Sequence, residues 1–398
     1  MQKTSLFLCL LVLILWACNE DEPEPIVQGD EQALTTTLTQ IYEDANFPGF
    51  TIGIVQNGTI SYQNSFGFKN TEQMQAYTNQ TIHPIGSISK TFIGAALVKA
   101  ISLGYLDLET PINDILPTPL VNPKNPGANI LVRHLVEHTS GLVDEGTTYL
   151  STYYLDTQEV PSSEIQGILN AAGITHRPAR SLAELINAYY YPGGELYSED
   201  NFAAAEPGTA YQYSNLASSL AAYLVELAAG VPYEDFLRTN VLQPLGMTST
   251  DFVKENLPQE QLATLYFDEG VALPSYALES FPDGALRTSN DDLSLYLQDM
   301  IMGQSGSSEV LFPQSYYQLL FEKQENTGHS IFWTVNVNGD INHSGSDPGL
   351  STILGFNSES KVGYFILSNY DSSDDGKEAH FEETQQAINA SVLQFMGL

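Results

Sequence analysis

The chain has 398 residues, 42 % of them hydrophobic, which is enough to bury a large core and too apolar for a disordered polymer. Only 14 Lys and Arg stand against 48 Asp and Glu, a formal net charge of −34. A surface of that sign repels nucleic acid and anionic headgroups, and so excludes polynucleotide binding as the main task.

In chain order, the first segment reads as a targeting signal. Lys3 supplies a positive start, and residues 6–16 form an apolar stretch too short to cross a bilayer. It ends in Leu15-Trp16-Ala17-Cys18, which resembles the lipobox of bacterial lipoproteins. That resemblance implies a signal peptide over 1–17, lipidation of Cys18, and a chain held at the cell envelope by its lipid anchor alone. Cys9 would leave with the signal. No disulfide, zinc–cysteine site or cysteine nucleophile would then be available. Residues 18–30, with Asn19-Glu-Asp-Glu-Pro-Glu-Pro25, read as a solvated acidic tether.

The folded part is expected over 31–398. Leu34, Leu38, Ile41 and Tyr42 fall on one helical face. Phe50, Ile52 and Ile54 alternate into a strand, Asn57-Gly58 makes a two-residue turn, and residues 60–66 return. A mostly helical middle follows, clearest at 90–103, 181–190 and 216–229. The end repeats the opening style. A strand at 331–337 leads to a turn at Asn338-Gly339, then strands at 350–356 and 362–367. A last helix carries Phe381, Ile388, Val392 and Phe395. Strands at both ends predict an α/β (α+β) architecture, an antiparallel sheet flanked by helices. One lobe would come from about 31–86 and 298–398, and a helical lobe from about 87–297, with a site in the cleft between them.

Three short motifs carry chemistry. Gly86-Ser87-Ile88-Ser89-Lys90 opens a helix, so Ser87 and Lys90 share a face one turn apart. A serine hydroxyl needs such a neighbouring base to act as a nucleophile. Ser358-Glu-Ser-Lys361 fits the same spacing, but in a turn between strands. Tyr213-Ser214-Asn215 offers a phenol able to relay protons and an amide able to hold substrate. Tyr62-Gln63-Asn64 and Tyr77-Thr78-Asn79 match that spacing too. His343-Ser344-Gly345-Ser346 would lie on an edge strand, where glycine lets substrate approach the backbone. Lys361-Val362-Gly363 is a looser competitor for that part.

In this order, S-x-x-K, Y-S-N and H-x-G resemble the serine β-lactamase and D-Ala-D-Ala peptidase superfamily, in its class C-related branch, which includes esterases and penicillin-binding proteins. The segments Arg133-His-Leu-Val-Glu-His-Thr-Ser-Gly-Leu142 and Gly284-Ala-Leu-Arg-Thr-Ser289 resemble further stretches of that family. The resemblance implies a serine hydrolase that forms an acyl-enzyme at Ser87, with no cofactor. Lys90 would accept or share the serine proton, and Tyr213 would relay it to the leaving group. Asn215, His343 and Ser344 would contact substrate. The backbone N–H groups of Ser87 and Ser346, beside Gly345, would form the oxyanion hole. Histidine at 343, where β-lactamases usually have lysine, is closer to D,D-peptidases and esterases. The expected substrate is therefore a small ester or D-amino-acyl peptide.

Two other readings stand beside this one. A catalytically inactive binding protein on the same fold would keep the motifs without turnover. A zinc peptidase would use His134 and His138 of the H-x-x-E-H stretch, where no third ligand is evident. The tyrosine-rich stretch 144–206 is read either as a lid over the cleft or as a surface excursion with packed aromatics.

Overall fold

The computed structural model describes residues 29–155, 161–324 and 327–398. Cys18, the signal segment and the tether up to residue 28 lie outside them.

Helix α1 (Glu31–Ala45) begins where the Asp30 side chain accepts the Ala33 N–H at 3.0 Å, and stops at Asn46 in the left-handed region. Strand β1 (Gly49–Gln56) is buried along all but its last residue. Asn57 and Gly58, both with positive φ, turn the chain into β2 (Thr59–Asn70), followed by the short β3 (Gln75–Ala76). The middle of the chain contributes α2 (Ser89–Ser102), α3 (Asn215–Ala229) and α4 (Asn290–Gln304). Helix α2 is apolar nearly all round and is correspondingly buried on almost every side. The chain closes with β4 (Thr334–Val335), β5 (Asp340–Asp347), β6 (Leu350–Asn357), β7 (Val362–Ser368) and α5 (Asp375–Met396).

The strands form one antiparallel seven-stranded sheet in the order β4-β5-β6-β7-β1-β2-β3. The two chain ends meet where β1 pairs with β7, Ile52 lying opposite Ile366. Both faces of β1 are covered, which explains its unbroken burial. On one side Leu34 and Leu38 of α1 and Ile388 and Val392 of α5 close over Ile52, Ile54 and Ile366. On the other, Phe92 of α2 stacks on Tyr296 of α4 at 3.9 Å, within a core continuous with the helical middle. The fold is thus mixed α/β, with a large antiparallel sheet flanked by helices.

The strand expected over 331–337 is reduced to Thr334–Val335. Phe332 has a φ of 57°, and its N–H donates to Val136 O at 3.1 Å instead of to a sheet neighbour. Ile331, Phe332 and Trp333 are buried as hydrophobic packing, so an apolar run suited to a strand is taken up by the helical core.

Candidate active site

Ser87 sits in a single 3-10 turn, Gly86–Ile88, that runs directly into α2. Gly86 has a φ of 53°, and a β-carbon there would press on Leu350 and on the Gly345 backbone. The Lys90 ammonium donates to Ser87 Oγ at 3.0 Å and to Asp283 O at 2.7 Å. Lys90 is fully buried. Burial works against its charge, but Tyr213 and the Asp283 and Asp347 carboxyls outweigh that and raise its pKa. These neighbours favour the charged form of Lys90.

Strand β5 lies against this turn, and Gly345 is what allows it. A β-carbon at 345 would stand 2.5 Å from Ile85 O and 2.9 Å from Ser87 N. Thr352, opposite Gly345 on β6, fastens the approach by donating to Ile85 O at 2.9 Å. Ser344 and Ser346 are exposed on the same strand, and Ser346 Oγ lies 3.1 Å from Ser372 Oγ.

The third wall comes from the start of α3. The Tyr213 ring lies 5.1 Å from Lys90 Nζ. Asp144 caps the helix: its carboxylate accepts Ser214 Oγ at 2.7 Å, the Asn215 N–H at 2.6 Å and the Leu216 N–H at 3.1 Å. Behind Tyr213, the buried His138 ring packs at 4.5 Å and accepts the Ser214 N–H through Nδ1 at 3.3 Å. His343 approaches from the strand side, its ring 6.4 Å from that of Tyr213. His343 Nδ1 donates to Ser344 O at 2.7 Å, which leaves Nε2 without the proton. Burial, then the Lys90 charge, pushes His343 down to about 3, so the ring is neutral.

The structure thus gathers Ser87, Lys90, Tyr213, His343 and Gly345 at one cleft, with Asn215 held beside them. It sets the competing matches apart. Tyr62 and Asn64 lie within β2, hydrogen-bonded to each other at 3.0 Å. Tyr77 is buried, and Lys361 sits at positive φ in the turn before β7. His134 accepts the Leu131 N–H through Nδ1 at 3.1 Å and packs beneath Gly208. Among the described residues no group of three His, Cys, Asp or Glu is arranged to hold a metal ion.

Sequence reasoning missed two carboxyls behind Lys90, one buried and one half-buried. Asp283 accepts Ser219 Oγ at 3.1 Å and Tyr149 Oη at 3.4 Å, and burial pushes it up to about 7 despite Lys90. Asp347, at the end of β5, accepts the Tyr153 hydroxyl and is pushed up to about 6 by burial. The available signal was adjacency: Asp283 precedes the family-like Gly284–Ser289 stretch, and Asp347 follows Ser346 directly. The tyrosine-rich stretch divides in two. Tyr149 and Tyr153 reach these carboxyls, while Tyr189 bonds to Val143 O at 3.1 Å and Tyr190 is packing.

A small cavity of about 210 Å³ opens next to Tyr213 and His343, walled also by His138, Tyr211, His329 and Asn342.

Comparison with known proteins places this site in a family context. A family model described as Beta-lactamase matches residues 34–387. Protein flp of Staphylococcus aureus is 23 % identical over 354 residues, covering 87 % of this chain but 64 % of that protein, so the chain spans under two thirds of that relative's length. Penicillin-binding protein 4* of Bacillus subtilis is 23 % identical over 352 residues, with 82 % and 69 % covered. Among solved structures, the octameric penicillin-binding protein homologue from Pyrococcus abyssi superposes with a TM-score of 0.69 at 25 % identity, covering 90 % of this chain and 77 % of that one. A class C beta lactamase from Rhodobacter sphaeroides gives 0.63 at 17 % identity, with 91 % and 99 % covered, a likeness of fold.

Proposed function

Because the chain belongs to the Beta-lactamase family, we propose that it is a serine hydrolase working through an acyl-enzyme on Ser87, with a small ester or D-amino-acyl peptide as substrate. The observation that carries this reading is the buried Lys90 ammonium 3.0 Å from Ser87 Oγ, with the β5 backbone pressed against the Ser87 turn at Gly345.

Ser87 Oγ attacks the substrate carbonyl, and the carbonyl electron pair moves onto its oxygen. The N–H groups of Ser87 and Ser346 hold that oxyanion, and removing one such donor typically costs about 2.7–4 kcal/mol of transition-state stabilisation. Lys90 already carries its proton, so the serine proton cannot simply rest there. As Lys90 takes it, Lys90 passes one to Tyr213 Oη, and the Tyr213 proton goes to the leaving group as its bond to carbon breaks. Water then attacks the acyl-enzyme by the reverse relay and frees Ser87. Asn215 and the exposed edge of β5 orient the acyl chain.

His343 supports an ester, or a peptide whose leaving group carries no carboxylate, over a β-lactam. A neutral ring replaces the cation that would otherwise meet a β-lactam carboxylate. We also infer that Cys18 carries a lipid and that the enzyme works at the cell envelope. Palmitate labelling of the full chain and of Cys18→Ser tests that inference.

Intact-mass measurement with a fluorophosphonate tests the main reading. One adduct is expected on the wild type and none on Ser87→Ala. An unmodified wild type that still binds penicillin reversibly would favour the inactive binding protein instead.

A further inference from the structure

We propose that the cavity beside Tyr213 and His343 is a leaving-group subsite for an uncharged polar or aromatic group, so that neutral esters and amides are accepted and substrates ending in a free carboxylate are refused. This rests on the serine hydrolase reading, since the cavity is assigned its role by Tyr213, the residue that would protonate the leaving group.

Three observations converge on that ligand class. First, among the described residues lining the cavity there is no Lys or Arg. A carboxylate desolvated there would meet no permanent cation, which is costly. Second, the side chains present are of the kind that suit a neutral group. The Tyr211 and His329 rings stack at 4.3 Å with an interplanar angle of 6°, making a flat wall against which a ring can lie. Asn342 and Ser344 offer hydrogen bonds. Third, the neighbouring charges already balance. The buried cation nearby, Lys90, is engaged by Ser87 Oγ and Asp283 O and faces the Asp283 and Asp347 carboxyls. The imidazoles do not change this balance. Burial lowers His138, His329 and His343 alike, and the Lys90 charge lowers His138 and His343 further.

Paired aryl acetates give the test. 4-Acetoxybenzamide and 4-acetoxybenzoate differ at the far end of the leaving group, and each rate is corrected for its spontaneous hydrolysis. The benzamide should be turned over with a kcat/KM about ten-fold or more above the benzoate. Asn342→Lys and His343→Lys, each placing a cation in the cavity wall, should shrink that ratio, with the fluorophosphonate labelling of each variant measured alongside. A wild type that uses the benzoate equally well, or that labels at Ser87 yet cleaves neither ester, overturns the subsite. So does a ratio unchanged in both lysine variants. A wild type that never labels at Ser87 removes the hydrolase reading itself, and the subsite with it.

Discussion

Asp144 accepts the backbone N–H of Asn215 at 2.6 Å, and so one carboxylate fixes the start of the helix that presents Tyr213 and Asn215 to the cleft. The same group also takes Ser214 Oγ and the Leu216 N–H, which satisfies donors that would otherwise be orphaned at the helix start. Asp144 touches no reacting atom, yet the position of Tyr213 depends on it.

Asp144→Ala should therefore cost both stability and turnover. The helix keeps its own N-cap, Ser214, but loses a charged acceptor of three hydrogen bonds, and a lost bond to a charged group typically costs about 1.5–3 kcal/mol, visible as a lower urea midpoint. Misplacement of the relay should lower kcat more than it raises KM, with Asp144→Asn recovering part of the loss. A variant that loses stability but keeps wild-type kcat would confine Asp144 to a structural role.

Gly345 is the second sensitive point. An added methyl would lie 2.5 Å from Ile85 O and 2.9 Å from Ser87 N, both backbone atoms that cannot rotate away. Gly345→Ala should push β5 off the Ser87 turn, separating the Ser87 and Ser346 N–H groups proposed to hold the oxyanion. Acylation should fall by about 100-fold or more, as expected for a lost oxyanion donor, while overpacking costs about 1–3 kcal/mol of stability. Stopped-flow acylation beside thermal melts would separate the two effects. Unimpaired acylation would mean that β5 is not held as closely as its geometry requires.

The sheet was legible before the structure because its signals are local: alternating Phe50, Ile52 and Ile54, and the Asn57-Gly58 and Asn338-Gly339 turns. The Ser87–Lys90 contact was legible for the same reason, since helical spacing alone places them together. Asp144 and Asp283 were not, because nothing local marks which distant groups an aspartate will meet. Asp283 meets Lys90 across 193 positions of sequence, and Asp144 reaches Asn215 across 71. Trp333 misled in the opposite direction. It sits in an apolar run that resembles a strand, but the helical core claims it.

The Asp283 carboxyl yields a pH prediction. Burial holds it at about 7 in the folded protein, above the unfolded carboxylate value of about 3.9. The folded state then binds the proton more tightly, so this group's contribution to stability is fully present below about pH 4 and is lost as pH rises through about 7. Asp283→Asn, which keeps the shape and cannot ionise, should gain stability relative to the wild type as pH is raised from 5 to 8. Urea midpoints of both proteins across that range provide the check. A difference that stays constant with pH would mean that Asp283 is not protonated in the fold.

The two kinds of tyrosine in the 144–206 stretch should behave differently when only the hydroxyl is removed. Tyr149 and Tyr153 direct theirs at Asp283 and Asp347, the carboxyls that raise the pKa of Lys90. Tyr189 bonds to Val143 O and the Glu145 N–H, on the far side of the same loop. Tyr153→Phe removes the hydrogen bond that favours ionised Asp347, so that carboxyl should protonate at a higher pH. Lys90 would then face less negative charge, and the pH–rate profile of acylation should move. Tyr189→Phe should leave that profile in place and cost about 2 kcal/mol of stability, at about 1 kcal/mol for each of the two hydrogen bonds lost. Equal profiles for the two variants would mean that the loop shapes the cleft by packing alone, with no electrical connection to Lys90.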